Sequence, residues 1–144
     1  MKNLVLLSLL LCLSGMANGE VLKQGVFKGT KGFVSKNKHN IKGSWQLEKT
    51  ESGKLALVLD KSFEADNAPD LKFFLSPLNS SKVSSKNAEK EAKLIYSFPA
   101  NKGSKKVSGP QRIELDIEES VFSQYKSIVL HCKKYSELWG TSSL

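Results

Sequence analysis

The distribution of apolar positions divides the chain into many short segments separated by turn-forming residues. Trp45-Gln46-Leu47 and Leu55 to Leu59 each carry closely spaced apolar side chains, and Glu51-Ser52-Gly53 lies between them, which predicts a β-hairpin. Leu71 to Leu75 is an apolar and aromatic run ended by Pro77, and Leu94 to Phe98 is a second one ended by Pro99. Proline cannot donate to a sheet ladder, so both read as strands that stop where the proline stands. Gln111 to Ile117 alternates, with Ile113, Leu115 and Ile117 on one face and Arg112, Glu114 and Asp116 on the other. Ser84 to Lys93 breaks the pattern. Ala88, Glu89, Lys90, Glu91 and Ala92 are good helix formers, and a single helical turn or a loop fits them equally well. About seven to eight short strands joined by turns predict an all-β fold, an antiparallel sandwich or barrel.

The first residues follow a different rule. Met1-Lys2-Asn3 precedes an apolar run from Leu4 to Leu13, and small residues stand at Gly15, Ala17 and Gly19. This is the layout of a secretory signal peptide over residues 1–19, with cleavage between Gly19 and Glu20 preferred and cleavage after Ala17 second. The run is shorter than the roughly 20 residues a membrane-spanning helix needs, and no later segment is apolar enough either. Cys12 raises a lipoprotein alternative, but Leu11 stands where lipidation needs a small residue. The expectation is therefore an exported protein, periplasmic or secreted, with one domain over residues 20–144. Once the leader is removed, Cys132 is the sole cysteine, and no intramolecular disulfide can form.

Charge narrows the partners. The 144-residue chain has 22 basic against 14 acidic residues, a formal net charge of +8, and every basic residue except Arg112 is a lysine. Bidentate readout of phosphates and bases favours arginine, so the lysines read as a solvated surface and no nucleic-acid partner is expected. Attraction to an anionic membrane surface or cell-wall polymer stays compatible with them. There is no nucleophile elbow, phosphate-cradling glycine loop or spaced carboxylate pair, and a stand-alone enzyme is not expected. Two histidines and one cysteine are too few for a closed zinc site of four protein ligands. Asp66-Asn67-Ala68-Pro69-Asp70 contains side chains that bind calcium elsewhere, yet it reads as a turn leading into a strand.

The remaining chemistry concentrates near the C-terminus. In Ser127-Ile128-Val129-Leu130-His131-Cys132, the alternation of a strand puts Ile128, Leu130 and Cys132 on one face and Val129 and His131 on the other. Cys132 is expected to point inward, and His131 outward or across a sheet edge. The adjacent pair cannot chelate one metal without a bulge. His131, Lys133 and Lys134 supply positive charge around the thiol, which can act as a redox group or as an axial heme ligand. His39, in the polar stretch Lys38-His39-Asn40, is a candidate second ligand. The bland reading of His39 is a surface or turn residue, and that of Cys132 is a small, inert hydrophobe.

The stretch from Tyr125 through Cys132 to Trp139-Gly140 resembles the C-terminal signature of the DM-thirteen electron-transfer domain family. Earlier pieces agree in order: Gly25-Val26-Phe27, His39 with Gly43, Phe63, Asp66 to Leu71, Phe73 to Ser76, then Gly109 and Gln111. The resemblance implies a β-rich extracytoplasmic domain in which Cys132 serves redox chemistry, as a bare thiol or by holding a prosthetic group such as heme. Its partner would be a redox protein or a cell-surface protein, and a monomer is expected. One departure is that the family usually places tryptophan before this cysteine, where this chain has His131, a candidate cofactor ligand or base. The competing reading is a non-catalytic secreted binding or adhesion module whose cysteine only packs.

Overall fold

The computed structural model describes residues 19–30, 39–100 and 103–144. Residues 1–18 of the expected leader, with Cys12, lie outside these residues. The described chain is built almost wholly of strands: β1 (Glu20–Val26), β2 (Lys28–Gly29), β3 (Ile41–Lys42), β4 (Ser44–Lys49), β5 (Leu55–Leu59), β6 (Glu64–Asp66), β7 (Leu71–Ser76), β8 (Lys93–Ser97), β9 (Lys106–Ser108), β10 (Gln111–Leu115), β11 (Ser127–Cys132) and β12 (Glu137–Ser143). Eight of them run five residues or longer, in line with the sequence expectation, and the rest are bridges of two or three residues. Among the described residues the one α-helix is the single turn α1 (Glu119–Phe122).

Pairing is antiparallel throughout. The strands form a four-stranded sheet, β1-β4-β5-β10, a five-stranded sheet, β2-β12-β11-β7-β8, and a small three-stranded sheet, β3-β6-β9. The first two carry the opposing walls of one core, so the fold is a sandwich and not a closed barrel. Period-two alternation explains which side chains meet there. Trp45, Leu47, Leu55, Leu57, Leu59, Ile113 and Leu115 come from one sheet, and Leu71, Phe73, Leu75, Ile128, Leu130 and Cys132 from the other. The predicted hairpin is β4–β5, paired from Trp45 with Leu59 to Lys49 with Leu55. Its turn closes through the Gly53 amide on the Thr50 carbonyl at 2.8 Å.

The other face of the five-stranded sheet is also covered. Phe74, Val129 and Leu138 point away from the main core and pack with Ala88, Val83 and Ala92. The segment around Ala88 therefore forms a cap of successive turns, not a helix. Glu91 takes a left-handed φ of 56° in it, which interrupts any helix. With a cover on each side, every residue of β11 is buried. This strand is also not the last, because β12 pairs beside it.

At the corner between β4 and β6 the backbone passes close to itself. Gly43 has φ 101°, and a Cβ there would lie 2.4 Å from the Phe63 Cα. Gly43→Ala should destabilise the protein by about 3 kcal/mol or more, read as a lower urea midpoint. In the same corner Asp60 accepts hydrogen bonds from the Ser44 hydroxyl and from the amide and hydroxyl of Ser62. These bonds, that of Ser44 foremost, lower its pKa to about 2. Its contribution is complete above about pH 4, the unfolded value, and is lost as pH falls through the folded one. Between pH 5 and pH 2 the wild-type midpoint should therefore fall further than that of Asp60→Asn.

Candidate functional site

Cys132 ends β11, and the chain then makes a tight return: a 3-10 turn at Lys133–Tyr135, then Ser136 in the left-handed region at φ 48°. The return brings Glu137 directly opposite Cys132 on β12. Opposed residues of an antiparallel pair project from the same face with Cβ atoms about 5 Å apart. The thiol thus has a carboxylate as its cross-strand neighbour, and both are buried, Cys132 at 0% and Glu137 at 3% exposure. On its other side Cys132 is paired with Leu71 of β7.

An irregularity in β12 completes the arrangement. Leu130 pairs with Gly140 but His131 pairs with Leu138, so Trp139 is an extra residue in the ladder. The bulge allows Glu137, Trp139 and Gly140 all to face inward. Gly140 has to lack a side chain, because a Cβ would meet Ile41 Cγ2 at 2.6 Å. The Trp139 indole N–H donates to the Asp66 carbonyl at 2.8 Å. His39 stacks on that indole, with centroids 3.5 Å apart and planes within 12°. Its Nε2 approaches Glu137 Oε1 at 3.2 Å, close enough for an ion pair, although the direction is wrong for a hydrogen bond. Cys132, Glu137, His39 and Trp139 therefore form one continuous buried group.

His39 also opens this group toward the surface. It lines a groove of about 340 Å³ with Asn40, Ile41, Lys42, Glu64 and Lys106. Lys106 reaches Glu64 Oε1 at 2.5 Å and Lys42 reaches the same oxygen at 3.5 Å. The hydrogen bond from Lys106 holds the Glu64 carboxyl below its ordinary value, and Glu64 in turn raises the lysine. Asp66 holds Asn40 of the lining, its carboxylate accepting from the Asn40 amide at 2.9 Å. β6 ends at Asp66 and the chain turns at Pro69-Asp70 before β7, with Asn67 Oδ1 accepting from the Ala68 amide at 2.9 Å. No cluster of metal ligands occurs among the described residues.

Each residue singled out in the sequence has a definite place. Cys132 points inward as expected and is a free cysteine. His131 lies on the opposite face, as strand parity requires, but it is not outward and not at an edge. It is 3% exposed and sits on the central strand of its sheet, beneath the cap. Its Nδ1 is 2.9 Å from Glu89 Oε1, while its Nε2 is buried without a hydrogen-bond partner. His39 is buried at 8% exposure instead of lying at the surface. The structure therefore joins His39 to Cys132 through Glu137 and sets His131 apart. Glu137 is the residue that sequence reasoning passed over, although its spacing from Cys132 across a short return was a usable signal.

One family model matches most of the chain. The profile described as Electron transfer DM13 matches residues 32–144, which include His39, Cys132, Glu137 and Trp139. The chain belongs to this family. No curated protein and no solved structure matches it. In this DM13 domain, Cys132 and His131 cannot bracket one heme iron, since they occupy opposite faces of the sheet. A heme on Cys132 alone would need the core around a fully buried sulfur to open, so the packing as it stands does not fit that group. Trp139→Phe should keep the stack on His39 and lose the bond to Asp66, lowering stability by about 1 kcal/mol in urea denaturation. No loss at all would mean that the bond contributes nothing.

Proposed function

We propose that this DM13 domain is an exported electron-transfer module in which Cys132 is the redox group and Glu137 takes its proton. The observation that carries the reading is the pairing of a buried free thiol with a buried carboxylate that contacts His39. In the forward step the thiol gives one electron to a one-electron acceptor protein and its proton passes to the Glu137 carboxylate. The products are a neutral sulfur radical, a protonated Glu137 and the reduced acceptor, and the reverse step restores the thiol. Moving the proton with the electron leaves no unpaired charge on sulfur inside an apolar core, where such a charge is costly. His39 stands between Glu137 and the groove, on the path by which that proton would reach water.

The extracytoplasmic setting rests on the signal-peptide pattern. It is supported by the start of β1 at Glu20, the residue that cleavage after Gly19 would leave at the N-terminus. A second reading is favoured by one specific observation: Cys132 has 0% exposure inside the core cluster, as a purely structural cysteine would. The domain would then be a secreted binding or adhesion module.

Oxidative titration of the exported protein with hexachloroiridate, a one-electron oxidant, separates the two. Wild type should consume one equivalent more than Cys132→Ala and give a sulfur-centred radical, and Glu137→Gln should slow this step at least several-fold. Equal consumption by wild type and Cys132→Ala would sink the redox thiol and leave the binding module. Ferric heme added in parallel tests the cofactor alternative, since a Soret shift lost in Cys132→Ala would make heme the carrier. The intact mass should begin at Glu20.

A further inference from the structure

The described surface is unevenly charged. Glu114, Asp116, Glu118 and Glu119 are exposed on and just after β10, with Lys54 beside the first three and Lys49 Nζ 2.7 Å from Glu119 Oε2. The five-stranded sheet carries the opposite sign. Lys82, Lys86, Lys90 and Lys93 are exposed on the cap and the start of β8, and Lys133 and Lys134 on the return after Cys132. Glu89 and Glu91 are the acids among them. The two basic groups are contiguous in space, because Lys133 Nζ lies 3.9 Å from Glu89 Oε2 of the cap. Tyr135 projects beside them at 51% exposure, with Lys134 Nζ 5.9 Å from its ring centroid.

The position of this face matters as much as its sign. Two residues of extended chain span at most about 7 Å, so the exposed Lys134 backbone lies within that distance of the Cys132 backbone. A protein seated on the return would sit beside the end of the strand that carries the buried sulfur. We infer that Lys133-Lys134-Tyr135 and the lysines of the cap form the docking surface for an acidic protein electron carrier. This inference rests on the redox reading of Cys132 and names its partner. The concentration of lysines on this face attracts a negative partner before contact. An exposed tyrosine next to lysines suits a protein interface, which favours aromatic anchors. A membrane surface is the weaker fit, since Tyr135 and Leu94 are the large apolar side chains exposed near this face and insertion needs a continuous apolar stripe.

The test uses the exported domain with plastocyanin as an acidic one-electron carrier and cytochrome c as a basic one. Amide shift perturbations are followed by NMR at low and high salt. Plastocyanin should perturb residues 133–136 and 86–90, and the effect should vanish at high salt, with no such response to cytochrome c. Two double variants of equal net charge locate the effect: Lys133→Glu/Lys134→Glu should weaken binding at least tenfold, and Lys23→Glu/Lys54→Glu should change it less than twofold. Equal weakening by both variants, or perturbations centred elsewhere, would overturn the inference in favour of general attraction to a basic protein. Binding to anionic phosphatidylglycerol vesicles through the same lysines, without binding to plastocyanin, would overturn it in favour of a lipid surface. Docking as described with a redox-silent Cys132 would keep the surface and remove the thiol reading, so the two ideas fail separately.

Discussion

The bulge at Trp139 is the constraint on which the rest of the arrangement depends. A regular ladder would make Trp139 and Gly140 alternate, and one of them would leave the core. With one extra residue in β12, Trp139 stays beside Glu137 on the inner face while the strand beyond it returns to register. Ser142 then faces inward, where its hydroxyl accepts the Trp45 indole N–H at 2.8 Å. One local irregularity thus holds a tryptophan on each wall of the sandwich and supplies the platform on which His39 rests.

The same strands separate two kinds of environment by a single residue step. On the inner side of β11 the cysteine sits among apolar groups and opposite a carboxylate. On the outer side His131 is held by Glu89 under the cap, with Phe74 edge-on at 6.4 Å. The cap itself is anchored by Ala88 and by the Ser85 hydroxyl, which accepts the Leu138 amide at 3.0 Å. The side chain at position 131 therefore sets the contact between sheet and cap, and leaves the inner face with the sulfur untouched.

Much of this was legible in the sequence because it is local. Alternation in Gln111–Leu115, the Glu51-Ser52-Gly53 turn and the prolines at positions 77 and 99 fix strands without reference to the rest of the chain. The inward aim of Cys132 followed from parity within one strand. The burial of His131 did not, because it depends on a cap about forty residues earlier in sequence, whose composition reads equally as helix or loop. Glu137 was hidden for a related reason: a lone glutamate near a chain end looks solvated until β12 is paired. His39 in a polar stretch looked exposed, and only the stack on Trp139, a hundred residues away, shows otherwise.

The layered cover around β11 has a chemical corollary for the Cys132 thiol. Sulfur that meets peroxide and water freely climbs from sulfenic to sulfinic and sulfonic acid, and the later rungs do not reverse. Each rung needs added oxygen atoms at the sulfur, and two sheets and a cap leave little space to deliver them. Electrons can cross such a wall where oxygen atoms cannot, so burial of this kind shields the sulfur against permanent chemical ageing.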